Sequence, residues 1–172
     1  MKPNTKLPKV VFTDIDGVWT DGGMYYDQTG NEWKKFNTRD SAAILFLRQL
    51  DIPVVVITGE DTQIMRRRAD KLKLNFVYHG VKDKVAVAKS FCDAHNIAWN
   101  EAAFIGDDLL DMPLLKCVGF SGCPADAPAY VKGLSSFIGE RKGGEGVFRE
   151  FVEHLLSDAG VLEDVVKHWS NK

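Results

Sequence analysis

Two aspartates one residue apart, Asp14 and Asp16, close the run Val10-Val11-Phe12-Thr13, and Gly17 follows them. The run reads as a buried strand, and Asp-x-Asp-Gly as the turn leaving its carboxyl end. Residues i and i+2 of a strand share a face. Strand geometry carried into the turn therefore places both carboxylates in one small volume. Like charges that close are costly unless a cation neutralises them. Oxygen ligands favour a hard divalent ion, magnesium first among them.

Other reactive side chains recur at similar places. Thr58-Gly59-Glu60 follows the β-branched run Ile52-Pro53-Val54-Val55-Val56-Ile57. Lys84 lies at a loop-to-helix junction after Asn75–Tyr78. Asp107, Asp108 and Asp111 follow Ala102-Ala103-Phe104-Ile105-Gly106. Singly these are weak signals, since an Asp-Asp pair often caps a helix and a lone lysine is commonly solvated. Together they stand at successive strand ends, and ligands of open parallel sheets bind beyond those ends. Acids, a hydroxyl and an amine then meet at one mouth.

The chemistry that suits such a mouth is phosphoryl transfer, which needs positive charge around spread negative charge and a placed nucleophile. Asp14 is the candidate nucleophile, forming an acyl phosphate that water opens. Asp16 is the candidate acid and base, protonating the leaving oxygen and then taking a proton from water. Magnesium is expected on Asp14, the Asp16 backbone carbonyl and Asp107. Thr58 is expected to bond a phosphate oxygen and Lys84 to supply charge. Asp108 and Asp111 are expected to orient metal waters or Lys84.

The elements that must position these residues alternate along the chain. The reading is a strand at Lys9–Thr13, an aromatic β-hairpin over about 20–36, and a helix to Leu50 capped by Thr38 or Asp40. Strand Ile52–Ile57, a basic helix with Arg66, Arg67, Arg68, Lys71 and Lys73, and strand Asn75–Tyr78 follow. A helix from Asp83 to His95, strand Ala102–Ile105, a helix to Cys117 and strands at Val118–Ser121 and Ser136–Ile138 come next. Helices Val147–Leu156 and Val161–Trp169 close the chain, within a tail over about 143–172. The pattern predicts a single α/β domain over 1–172, a three-layer Rossmann-like sandwich with a parallel central sheet and a protruding hairpin. A lone hairpin is marginal in water, so this one must pack on the body or on another subunit.

The 172 residues carry a formal net charge of −2, which gives no bulk attraction to nucleic acid or membrane. Met1–Lys9 is polar, and no apolar run nears the ~20 residues of a membrane span. A cytoplasmic protein is expected. The three cysteines, Cys92, Cys117 and Cys123, have no CxxC spacing and read as buried thiols. The four histidines are scattered singly and read as surface or loop residues.

Asp14-Ile15-Asp16-Gly17, Thr58-Gly59, Lys84 and Gly106-Asp107-Asp108-x-x-Asp111 together resemble the four motifs of the haloacid dehalogenase superfamily. Asp at position 16 matches its phosphatases. Larger members insert a cap after the first motif or between the second and third, and this chain has no room for one. It resembles the capless, tetrameric phosphatases of 3-deoxy-2-ulosonic acid phosphates. The matching segments are Thr20-Asp21-Gly22, Phe36-Asn37-Thr38-Arg39-Asp40 and the Gly143–Glu150 tail. The resemblance implies a homotetramer joined by its hairpins, with each pocket completed by a neighbour. It also implies that Arg68 binds the substrate carboxylate. Thr38, Gly59 and Arg149 are further substrate-binding candidates. Glu60 with Lys71 resembles the nine-carbon branch, so deaminoneuraminate 9-phosphate is the expected substrate. Octulosonate 8-phosphate and N-acylneuraminate 9-phosphate are the alternatives, and a non-catalytic assembly domain is the rival of another class.

Overall fold

The computed structural model describes residues 7–171. Residues 1–6 of the polar stretch read over Met1–Lys9 lie outside them. Six strands form one parallel sheet in the order β5-β4-β1-β6-β7-β8. They are β1 (Val10–Thr13), β4 (Val54–Ile57), β5 (Phe76–Tyr78), β6 (Ala102–Ile105), β7 (Phe120–Cys123) and β8 (Phe137–Ile138). The remaining pair, β2 (Tyr25–Tyr26) and β3 (Glu32–Trp33), forms a separate antiparallel hairpin.

The central strands are apolar throughout because both faces are covered. Alternation then sorts their residues into two cores. Val11, Val54, Val56, Ala103 and Ile105 face helices α1 (Asp40–Gln49), α2 (Gln63–Leu72), α6 (Val147–Asp158) and α7 (Leu162–Ser170). Val10, Phe12, Val55, Ile57, Ala102 and Phe104 face α3 (Lys84–His95), α4 (Met112–Leu115) and α5 (Ala129–Lys132). The result is the expected three-layer α/β sandwich.

The chain runs outward from β1 through β4 to β5, and then returns to the other side of β1 to lay down β6, β7 and β8. Right-handed crossovers leaving in opposite directions put their helices on opposite faces. A crevice therefore opens at the carboxyl ends of β1 and β6, where the two halves diverge. Asp14 follows β1 and Asp107 follows β6.

Several boundaries differ from the sequence reading. The helix expected up to Cys117 splits into a 3-10 turn at Leu109–Asp111 and the four-residue α4. The next strand starts at Phe120, because Val118 still closes onto Leu114 O and the Gly119 N–H is taken by Trp99 O and Ala102 O. Neither Thr38 nor Asp40 caps α1. Arg39 holds that position without a side-chain bond, and Asp40 accepts the N–H of Arg149 at 3.1 Å, joining α1 to α6. The hairpin ladder has only the pairs Tyr25–Trp33 and Tyr26–Glu32, with a lone bridge Thr20–Phe36 at its base. Tyr26 and Trp33 are 65% and 61% exposed, so the outer aromatic face is not packed on its own body. Cys92 and Cys123 are buried and Cys117 is half-buried, with no disulfide. His95 and His154 are not simply solvated; they stack on Phe91 and Phe120.

Candidate active site

Asp14 leaves β1 with its N–H on Ile105 O of β6 (3.0 Å), so the crevice between the two strands fixes where its side chain begins. The loop beyond it is tightly wound. Ile15 O accepts from the N–H groups of Val18, Trp19 and Thr20, and the buried Trp19 indole donates to Thr13 Oγ1 at 2.9 Å. Gly17 sits at φ +81°, and a Cβ there would meet Asp107 Oδ2 at 1.9 Å. Only glycine lets this turn approach the second acid loop so closely.

Lys84 is the first residue of α3, whose N-cap Asp83 accepts from Ala86 N. A cation there opposes the helix dipole, so its position needs another explanation. Its Nζ lies 2.9 Å from Asp14 Oδ1 and 2.6 Å from Asp111 Oδ1, with the side chain almost wholly buried. Asp111 is the hub of this arrangement. Its Oδ2 accepts from the N–H groups of Asp107 (2.9 Å) and Asp108 (3.2 Å), which sets the loop after β6. Asp108 turns outward and caps the 3-10 turn through Leu109 N at 2.7 Å. Its carboxylate thus serves the backbone.

Carboxylate oxygens of Asp14, Asp107 and Asp111 all lie within 4.8 Å of one another. One ammonium faces three acids. The shortage of positive charge shows in their titration. Burial, then the neighbouring Asp111, pushes Asp14 up to about 7 despite Lys84. Burial, then Asp14, Asp111 and Asp108, pushes Asp107 up to about 8. Burial pulls Lys84 down, but Asp14 and Asp111 outweigh it and leave it raised. Asp107 Oδ1 is buried and has no hydrogen-bond partner among the described residues. Both oxygens of Asp111 are already committed, so Asp14 and Asp107 are the free ligands. A bare buried oxygen, two acids held partly protonated and an all-oxygen donor set fit a hard divalent cation.

The structure separates Asp16 from this cluster. Strand β1 ends at Thr13, so the alternation expected to align the two carboxylates has already stopped. Asp16 Oδ1 instead accepts Lys34 Nζ at 2.6 Å and Thr20 Oγ1 at 3.3 Å. Lys34 rises from the hairpin, is 2% exposed along its side chain, and also bonds Glu60 Oε2 at 2.9 Å. It went unnoticed in the sequence because Trp33-Lys34-Lys35 looks like solvated hairpin edge. Thr58 is buried after β4, and its Oγ1 accepts from Glu60 N at 3.2 Å, leaving the hydroxyl proton free to donate.

The substrate-binding candidates are not gathered by one chain. Gly59 and Glu60 lie at the mouth beside Thr58, and Glu60 pairs with Lys34. Lys71 is exposed in the last turn of α2 without an ion pair among the described residues. Thr38 is exposed. Arg68 Nη2 donates to Asn37 O and Ser41 Oγ, and its guanidinium lies 5.5 Å from the Phe36 ring centre, clamping α2 to the start of α1. Arg149 Nε is bonded to Glu153 at 2.7 Å.

No family model matches the chain. Individual relatives do. It is 37% identical over 152 residues to the 3-deoxy-D-manno-octulosonate 8-phosphate phosphatase KdsC of Haemophilus influenzae, covering 88% of this chain and 84% of that one. The cobalt-bound structure of the Haemophilus influenzae phosphatase superposes with a TM-score of 0.86 at 35% identity, over 94% of both chains. The Moraxella catarrhalis phosphatase, solved with magnesium, phosphate and KDO, superposes at 0.91 with 27% identity, over 96% of this chain and 95% of that one. With this sheet order, this acid cluster and these relatives, the chain belongs to the KdsC-type sugar-acid phosphatases of the haloacid dehalogenase superfamily.

Proposed function

We propose that this enzyme hydrolyses the 8-phosphate ester of 3-deoxy-D-manno-octulosonate. Its relatives bear that name, which favours the eight-carbon ester over the nine-carbon one expected from Glu60 and Lys71. The Lys34–Glu60 pair points the same way, since Glu60 is already engaged within the site. The single observation that carries the phosphatase reading is the Asp14–Lys84–Asp111–Asp107 cluster, three acids on one ammonium around a bare oxygen.

The geometry supports the following roles. Asp14 Oδ1 is held by Lys84, while Oδ2 carries no hydrogen bond among the described residues and is the attacking atom. It bonds to phosphorus as the ester P–O bond breaks, and the leaving alkoxide takes a proton from Asp16. Water then attacks the aspartyl phosphate and gives its proton to Asp16, releasing phosphate and restoring Asp14. Thr58 donates its hydroxyl proton to a phosphate oxygen, and Lys84 offsets the negative charge that gathers there. Magnesium, when bound by Asp14, Asp107 and the Asp16 carbonyl, supplies the remaining charge neutralisation. The exposed Met24, Tyr25, Tyr26 and Trp33 face of the hairpin supports a homo-oligomer, read as a tetramer, in which a neighbour covers the open mouth.

The test is kcat/KM with magnesium across octulosonate 8-phosphate, nonulosonate 9-phosphates, nucleotides and phosphopeptides. At least a tenfold preference for the octulosonate ester is expected, as roughly 1.4 kcal/mol of selective contact provides. A preference for the nine-carbon ester reverses the substrate assignment. Turnover no higher than that of an Asp14→Asn control leaves an assembly role.

A further inference from the structure

Lys34 is a charged residue with a buried side chain that the reaction as described does not use. It comes from the end of β3, yet its ammonium is buried among three carboxylates. Asp16 Oδ1 is at 2.6 Å, Glu60 Oε2 at 2.9 Å and Glu32 Oε1 at 3.8 Å. Glu32 Oε1 is itself buried and unbonded, so the lysine has been drawn to the other two. Burying an ammonium is costly without close partners. A hairpin needing only solubility at this position has no reason to meet that cost.

The detail that matters is which oxygen of Asp16 is held. Lys34 Nζ and Thr20 Oγ1 both donate to Oδ1. Oδ2 has no hydrogen bond among the described residues. One oxygen is anchored from two sides and the other is left for proton exchange. Nothing in the Asp16 turn does this alone. Thr20 is four residues away at 3.3 Å, and the short charged contact comes from a separate part of the fold.

We propose that Lys34 is a positioning residue for acid–base chemistry, reaching from the hairpin to anchor Asp16 Oδ1 so that Oδ2 faces the leaving oxygen, with Glu60 as its second anchor. The proposal rests on the phosphatase reading above. It gives the hairpin a task inside its own catalytic site, separate from any contact it makes with another subunit. Glu60 becomes part of the clasp.

The experiment uses the full chain with magnesium and measures release of the alcohol in the first turnover. A sugar phosphate leaves as a poor alkoxide and needs the proton, whereas p-nitrophenolate leaves with little help. Lys34→Met is expected to lower the first-turnover rate on octulosonate 8-phosphate by about 10²-fold, the scale of a 1 Å misplacement. The loss on p-nitrophenyl phosphate should be at least tenfold smaller. KM for the sugar ester should change less than threefold, and Lys34→Arg should recover part of the rate. Equal losses on both esters, or a loss confined to KM, overturn the proposal, because a structural or substrate-binding lysine acts that way. Thermal unfolding and magnesium titration of the variant separate misfolding from misplacement. If wild-type protein rejects the sugar ester but cleaves aryl phosphates, the substrate reading falls. The Lys34 comparison then runs on phenyl against p-nitrophenyl phosphate, with the same larger loss expected on the poorer leaving group.

Discussion

Asp107 and Asp40 each bury a carboxylate oxygen that has no hydrogen-bond partner among the described residues. Burial is the main cause of a raised pKa at both, to about 8 at Asp107 and about 6 at Asp40. They differ in their neighbours. Asp107 faces the further acids Asp14, Asp111 and Asp108, with only Lys84 opposing them. Asp40 accepts the Arg149 N–H and feels Arg68, Arg141 and Arg149, and burial still prevails. A perturbed carboxylate therefore does not mark a site by itself. At the mouth of the sheet the charge deficit is shared by several acids and calls for a cation from outside. At the α1–α6 joint the cations are already in the chain, and the acid ties two helices together.

The largest effect that tests this contrast is on turnover. Asp14→Asn is expected to lower kcat by at least about 10³-fold, since no group replaces the attacking oxygen. Its melting temperature should stay level or rise, because one of three crowded acids is gone. Substantial residual activity would falsify the nucleophile assignment, and a large drop in melting temperature would make the cluster a structural one.

A smaller effect concerns magnesium. Asp14 and Asp107 must lose their protons to bind it, so uptake near neutral pH should release protons. Apparent affinity should rise as pH rises through about 7 to 8, the values to which burial and the crowded acids push these groups. Calorimetry in buffers of different ionisation heat measures the proton count. Asp40→Asn should leave that count unchanged, and any change would mean that the two buried acids are linked.

The smallest effect is on stability. The folded value of Asp40, about 6, lies above its unfolded value near 3.8. Its contribution is therefore full below the unfolded value and is lost as pH rises through the folded one. Relative to Asp40→Asn, the wild-type protein should lose on the order of 2 kcal/mol between pH 4 and 7. Paired denaturant titrations measure this, and a difference flat with pH would return Asp40 to an ordinary hydrogen-bonded acid.

Strands β1, β4 and β6 were legible because buried parallel strands leave nearly unbroken apolar runs. The acids at their ends were legible because each run stops abruptly in polar residues. Boundaries failed where the local pattern was overruled. Val118 is β-branched and looks like strand, but Leu114 O holds its N–H as the end of a helix. Asp16 was expected beside Asp14 by strand alternation, and the alternation ends at Thr13, before either aspartate. Lys34 went unnoticed for a related reason. A lysine in a hairpin carries no local sign of which long-range partner it meets.

The order of residues along the chain was enough to determine a parallel α/β sheet with Asp14, Thr58, Lys84 and Asp107 at one edge. Side-chain alternation and right-handed crossovers are local rules, and they place strand ends without knowledge of the rest. Tertiary structure alone decided that Asp111 and not Asp108 takes the place on Lys84, 27 residues away, and that Asp16 lies on Lys34, 18 residues away. Those contacts depend on how a loop and a hairpin close over the crevice. Loop closure is governed by packing and buried charge at the far end, which no periodicity in the sequence records.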